Sequence, residues 1–321
     1  MNEQIKVKCD HFTENTNEVK KVFRLSNNMI MIATALIYGD KDVDADKLEA
    51  CSKYIAKNTS YFSSFQSRSK SIVASKMAIQ DEPEKYFDDV KKVYDIITKG
   101  SIFDSAYLIE AAMIIVDAGK VAEAEAIVNK FSDLYKRMNK EHPFLTSTDD
   151  IAFGYLLCLT EKSVDQIMEE MEWAYDYLNS EVQIKLGKNE IQGIAEVLTM
   201  TDGDMKAKCD KVVEIYNKFL DKDVKYGNEK NESSMLGVLI DVGIDTETLV
   251  NEIIEVADYI KDSKGFGGLA LSNKQRLLFA SSLVADSYNN SNKAAAVGTV
   301  SSVISTVISN QIVLMMVVFF A

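Results

Sequence analysis

An all-α fold, an array of about six helical hairpins, is what this sequence predicts, and three observations carry that prediction. Only two prolines, Pro83 and Pro143, occur in 321 residues, and proline disrupts helix interiors. Apolar residues recur at i, i+3, i+4 and i+7, the spacing of one helix face. The same window returns with a tyrosine in the same place, at Tyr94, Tyr135, Tyr175 and Tyr216, steps of 41, 40 and 41 residues. A fixed period of this length is the mark of a repeat architecture. No Asn-Gly turn joins alternating apolar runs, so no hairpin of strands is expected.

Each tyrosine sits in an amphipathic window. The copies are Val90, Val93, Tyr94 and Ile97; Phe131, Leu134, Tyr135 and Met138; Met171, Ala174, Tyr175 and Leu178; and Val212, Ile215, Tyr216 and Phe219. A second kind of helix precedes each, apolar with small residues in mid-face. Its copies run from Met29, Ile32, Ala33 and Leu36, through a weaker Ser71, Ala74, Ser75 and Ala78, to Leu108, Ala111, Ala112 and Ile115. They continue with Ile151, Gly154, Tyr155 and Cys158; Ile191, Ile194, Ala195 and Leu198; Met235, Val238, Leu239 and Val242; and Leu277, Ala280, Ser281 and Val284. Small side chains there allow a neighbouring helix to approach closely, so each tyrosine is expected to pack toward the preceding small-residue helix.

Helix starts are marked by capping chemistry. Ser163 with Gln166 is a capping box, and Thr146 with Asp149 or Ser147 with Asp150 reads the same way. Pro83 suits a first turn, and Asp202 and Asp245 suit N-caps. The outer copies degrade, with Lys53 and Lys57 around Tyr54 and a slipped Val256, Tyr259, Ile260 and Ser263 at the far end. Terminal repeats present a face to water and are atypical. The count is six hairpins and a lone helix near 277–287 within a repeat domain of residues 1–290. An open or shallowly curved solenoid is favoured over a closed α/α toroid. Toroidal sugar-active enzymes need inward carboxylates and stacking aromatics, and here the one tryptophan, Trp173, is flanked by acids.

Residues 291–321 form the second segment. From Ala294 to Ala321 no residue is charged, a length above the roughly 20 residues that span a bilayer. Thr299, Ser302, Thr306 and Ser309 make a polar stripe at helical spacing. The expectation is a helix docked on the protein, with membrane contact through residues 294–321 as the alternative.

The net charge of −13 repels phosphate backbones, so nucleic acid is not an expected partner. The scattered lysines read as solvated faces. Cys9, Cys51, Cys158 and Cys209 lie far apart, with only His11 and His142 beside them. That spacing builds no zinc site and reads as buried or incidental thiols in a reducing cytoplasm. No cofactor or metal is expected, and the polar opening from Met1 to Asp10 is no signal peptide. Asp40, Asp42, Asp44 and Asp46 resemble calcium ligands, but an EF-hand needs Gly at position six and Glu at twelve. Those positions hold Ala45 and Cys51, or Lys47 and Lys53. An acidic turn before a helix is the reading instead.

Three further groups invite a functional reading. Glu110 and Asp117, seven apart, share a helix face, as an acid–base pair requires, and Asp241 is similar. Arg68 and Lys70, in Ser67-Arg-Ser-Lys-Ser, precede a helix and suit an anion, against a plain polar loop. Gly265, Gly267 and Gly268 bracket Phe266 in a connecting loop whose tip would serve as a contact point. Their spacing is not that of a dinucleotide fold.

The stretch His142-Pro-Phe-Leu-Thr-Ser-Thr-Asp-Asp-Ile-Ala is similar to a hallmark of an uncharacterised bacterial family, as are Arg68-Ser-Lys-Ser-Ile-Val-Ala and the Gly-Gly-Leu-Ala loop ending at Ala270. The chain thereby resembles the family known as domain of unknown function four thousand and three. The resemblance covers most of the chain. It implies a helical fold and no established activity, and it brings no catalytic residue. The tail here is richer in Val, Ile and Phe than the alanine-rich ending of that family, which leaves membrane contact open. The functional expectation is a non-enzymatic scaffold for a protein partner or for self-association. A membrane-tethered adaptor, or an enzyme with a concave-face site, is the alternative.

Overall fold

A computed structural model describes all residues except 25–27, 68, 100–105, 143–149, 181–183, 228–229, 269 and 294–321, and only the backbone of 231 and 289–293. Among the described residues are fourteen α-helices and no strand. They are α1 (Glu3–Val22), α2 (Asn28–Leu36), α3 (Ala45–Asn58), α4 (Ser69–Ala78), α5 (Pro83–Ile97), α6 (Ala106–Asp117) and α7 (Ala124–Glu141). They continue with α8 (Asp150–Leu159), α9 (Val164–Ser180), α10 (Lys188–Thr199), α11 (Met205–Asp221), α12 (Lys230–Leu239), α13 (Thr246–Lys261) and α14 (Asn273–Lys293). The lone helix expected near 277–287 is the core of α14, and the proposed tail helix lies outside the described residues. No helix among the described residues is long and apolar enough to cross a membrane.

The two kinds of helix alternate along the chain. The even-numbered, small-residue helices bury most of their described positions, and α2, α6 and α8 are apolar nearly all round. Residues 29–35 of α2, 109–115 of α6, 152–158 of α8 and 191–199 of α10 are buried without a break. The odd-numbered helices bury one stripe and keep a charged face in water, as Val90, Val93 and Tyr94 do on α5. Helix α1 was not legible as a repeat member. Its stripe of Ile5, Cys9, Phe12 and Val19 is buried but interrupted by the buried polar Asn15 and Thr16.

The chain divides into two compact units. One comprises His11–Glu161, where α2, α4, α6 and α8 lie in sequence beside one another and α3, α5 and α7 form a second row. The other comprises Met1–Asp10 and the described residues from Lys162 onward. There α10, α12 and α14 neighbour one another and α9, α11 and α13 form the second row. In this second unit the first turns of α1 meet the last hairpin. The Met1 amine pairs with Glu255, Lys8 pairs with Asp286, and the Tyr259 hydroxyl donates to Asp10 at 2.6 Å. Nothing in the repeat pointed to that neighbourhood.

The pairing direction differs from the expected one. Helix α5 packs more extensively on the following α6 than on the preceding α4, and α11 more on α12 than on α10. The apolar stripe of an amphipathic helix faces both flanking helices, and spacing alone does not say which it covers more.

Several lysines read as solvated belong instead to the packing. Lys47 of α3 donates to the Gln80 carbonyl after α4 at 2.9 Å. Lys130 of α7 donates to the Cys158 and Thr160 carbonyls at the end of α8, at 3.1 and 2.8 Å. Lys208 of α11 donates to Leu198 and Thr201 at the end of α10, at 2.6 and 2.8 Å. A helix C-terminus carries carbonyls without intrahelical partners and a partial negative charge, and an ammonium group satisfies both. Burial lowers the pKa of Lys130 and Lys208.

The capping expectations meet the structure at several points. Ser163 and Gln166 bond reciprocally as a capping box, at 2.9 and 3.2 Å. Pro83 occupies the first turn of α5, and Asp245 caps α13 by accepting from Thr248 N at 2.9 Å. Asp44 likewise caps α3, accepting from Lys47 N at 2.9 Å. The cap of α11 is Asp204 rather than Asp202. Asp204 stands directly before the first helical residue, where its carboxylate reaches Ala207 N at 2.7 Å. The Thr146 and Ser147 boxes lie outside the described residues. All four cysteines are free and buried.

Candidate functional site

The four repeat tyrosines divide three to one. Tyr94, Tyr175 and Tyr216 are buried, and Tyr135 is half-buried. Burial raises the pKa of Tyr135, Tyr175 and Tyr216. Their neighbours differ, since Tyr94 packs against Phe65 (5.2 Å between centroids) and the Tyr216 hydroxyl donates to the Lys185 carbonyl at 3.3 Å. These side chains build the core and leave the flanking positions free to vary.

One helix departs from the repeat at those flanking positions. Two residues before each tyrosine stand Lys92, Asp133, Trp173 and Glu214, all four exposed. Two residues after stand Ile96, Arg137, Tyr177 and Lys218. Three repeats place a charged side chain at the first position, as a solvated face requires. Helix α9 alone places an aromatic there, and a second one turn later. Trp173 and Tyr177 stack with centroids 5.1 Å apart and planes 9° from parallel, and Trp173 keeps 43% of its surface exposed. The fold does not need an indole at a position its other copies fill with Lys, Asp or Glu.

The stack borders a surface groove of about 520 Å³ between α9 and α11, lined by Gln166, Glu169, Glu170, Trp173, Asp204, Met205 and Lys206. Charged side chains flank the groove. Lys206 lies over the Tyr177 ring, 5.4 Å from its centroid, and pairs with Asp210 at 2.8 Å. Asp210 also accepts from the Tyr177 hydroxyl at 2.6 Å. The hydrogen bonds from Lys206 and Tyr177 hold the Asp210 carboxyl below its ordinary range. Glu170 is engaged by Lys162 at 2.7 Å. Glu169 and Asp204 remain exposed beside the indole. An aromatic face with carboxylates around it attracts a cation through the ring quadrupole and through charge-assisted hydrogen bonds.

The residues singled out in the sequence fall elsewhere. Arg68 lies outside the described residues, and Lys70 is half-buried near the start of α4. Gly265 takes a left-handed φ of 91°, which glycine adopts at little cost. Phe266, expected at an exposed tip, is fully buried. The buried Arg276 donates to the carbonyls of Phe266 (3.3 Å) and Leu271 (2.7 Å). That clamp holds the loop against the core with the Phe266 ring inside, while Gly265 and Gly267 are half-buried and Gly268 is exposed. Capping of α14 by Ser272 and Gln275, at 2.9 and 3.2 Å, completes the turn.

Glu110 and Asp117 do not form a free acid pair. Asp117 pairs with Lys76 at 2.6 Å and accepts from Tyr86 at 2.8 Å. Glu110 is 2% exposed, and neither carboxylate oxygen has a hydrogen-bond partner among the described residues. Burial pushes its pKa up to about 8, against a smaller lowering by Lys76. The sequence offered no sign of a second buried group, Lys230 with Glu196, 3.0 Å apart at the crossing of α10 and α12.

Comparison with known proteins places the chain without assigning a reaction. It is 26% identical over 166 residues to a protein of Bacillus subtilis (strain 168) described as "Uncharacterized protein YeaA". The match covers 50% of this chain and 50% of that protein, so the chain spans about half the length of the curated relative it matches. No solved structure matches it. A family model described as "Protein of unknown function (DUF4003)" matches residues 15–313, nearly the whole chain, and the chain belongs to that family.

Proposed function

We propose that the protein is a non-enzymatic interaction scaffold, an array of helical hairpins whose α9–α11 groove takes a basic segment of a protein partner. The observation that carries this reading is the exposed Trp173, set among carboxylates at a position where the other repeats place charged residues. Tryptophan, with tyrosine and arginine, is enriched in binding hot spots. Glu169 and Asp204 suit the ammonium or guanidinium groups of an extended Lys- or Arg-containing segment, which the chain's overall charge of −13 also attracts. The four buried free thiols suit a reducing, intracellular setting. An enzymatic reading has less support, because Asp117 is committed to Lys76 and Tyr86.

Calorimetric titration of the full chain with a panel of Lys- and Arg-rich peptides tests the proposal. Binding to basic peptides that weakens in Glu169→Lys, with acidic peptides of equal length silent, is the expected result. No binding to any basic peptide, or equal binding by Glu169→Lys, contradicts it.

A further inference from the structure

A second exposed aromatic pair has the opposite electrostatic setting. Tyr61 and Phe62 are 85% and 91% exposed, side by side in the connection between α3 and α4. Their rings meet edge to face with centroids 5.3 Å apart. They occupy the two central positions of a turn closed by a bond from Ser63 N to the Ser60 carbonyl at 3.0 Å.

The base of that turn is fixed. Phe65, three residues on from Phe62, is buried and packs edge-on against Phe87 and Tyr94, at 5.6 and 5.2 Å. Gln66 donates to the Thr59 hydroxyl at 2.6 Å, and Lys91 of α5 donates to the Asn58 carbonyl at 3.4 Å. One phenylalanine thus anchors the loop while its neighbour is held out in water. An exposed Tyr-Phe pair on a rigid turn costs apolar hydration that a passive connection would avoid.

The segment that carries the turn is basic in sequence. From Ala50 to Gln80 no acidic residue occurs, while Lys53, Lys57, Arg68, Lys70 and Lys76 do, in a chain of net charge −13. Lys57 and Lys91 are exposed, Lys57 three residues before the turn and Lys91 reaching the Asn58 carbonyl at its base. The acids of α5 lie along its own face: Glu84 acts electrostatically on Cys51 and Tyr54, Asp88 on Tyr54, and Asp88 and Asp95 stand beside Lys91. The Ser63 hydroxyl accepts from Phe65 N at 3.3 Å, which fixes the exit of the turn.

We propose that this turn is a peripheral docking site for an anionic lipid bilayer, with Tyr61 and Phe62 inserting at the headgroup–acyl boundary and Lys57 and Lys91 contacting the anionic headgroups. Aromatic side chains favour that boundary, and each nearby lysine adds attraction to an anionic surface that salt screens.

Sedimentation of the full chain with vesicles tests it, using phosphatidylcholine alone and an equal mixture with phosphatidylglycerol. The expected result is binding to the anionic vesicles that falls at high salt. The Tyr61→Ser/Phe62→Ser double variant should lose that binding by roughly tenfold or more while melting at the same temperature, since both side chains stand outside the core. Lys57→Glu should lower it as well. Absence of wild-type binding to anionic vesicles overturns the proposal. So does full binding by the double variant, which would assign membrane contact to the tail. So does equal binding to both vesicle types.

Discussion

Lys230 of α12 and Glu196 of α10 form an ion pair at 3.0 Å with side chains 3% and 0% exposed, and Gln192 donates to the same carboxylate at 3.0 Å. The pair sits where the two helices come close. A Cβ added to Gly193 would stand 2.6 Å from Lys230 Cγ, and one added to Gly237 would stand 2.8 Å from Val197 Cγ1. Glycine on both helices brings the backbones together and carries the ion pair into the interior. Removing one partner strands the other charge, so Lys230→Met or Glu196→Leu should each cost about 3–5 kcal/mol. The Lys230→Met/Glu196→Leu double variant should recover much of that loss. Denaturant unfolding of the three variants checks this, and single losses below about 1 kcal/mol would mean the charges are solvated.

Gly154 should tolerate no larger side chain. A Cβ there would lie 2.6 Å from the Phe131 ring, which stacks on Tyr155 with centroids 4.1 Å apart. Gly154→Leu, and Ala195→Leu in the fully buried stretch of α10, should each destabilise by about 1–3 kcal/mol through overpacking. Unchanged melting temperatures for both would show that these positions are not helix contacts.

Glu110 should make stability fall with rising pH. Its carboxyl is raised from 4.5 to about 8 by burial. Between those values the folded chain keeps a proton that the unfolded chain has released. The stabilising contribution is therefore complete below pH 4.5 and is lost as the pH rises through about 8. Glu110→Gln, neutral at every pH, should remove this slope and gain about 2–3 kcal/mol near pH 7. Stability curves for wild type and variant that run parallel from acid to pH 9 would contradict the burial of an isolated carboxyl.

The repeat was legible because it depends on spacing, and the phase of Tyr94, Tyr135, Tyr175 and Tyr216 needs no tertiary knowledge. What escaped notice depends on partners far apart in sequence. A lysine such as Lys130 is read as solvated until the end of α8 arrives beside it. Helix α1 was missed because Asn15 and Thr16 break its apolar stripe, although their polar groups find partners in the Lys41 and Phe12 carbonyls at 2.9 Å each. Composition could not tell Phe62 from Phe65 or place Phe266 inside, since the three differ only in what packs on them. At the groove, Trp173 was visible as a lone tryptophan among acids. Its significance needed the exposure of the equivalent positions in the other repeats.

Trp173 is the only tryptophan in the chain, so intrinsic tryptophan emission reports on the α9–α11 groove and nothing else. Titrating the full chain with Lys- and Arg-rich peptides while following that emission tests the scaffold reading most directly. The account predicts a saturable change with basic peptides, strongly reduced in Glu169→Lys and absent with acidic peptides. An emission spectrum unmoved by any basic peptide, or one moved equally in Glu169→Lys, would contradict it.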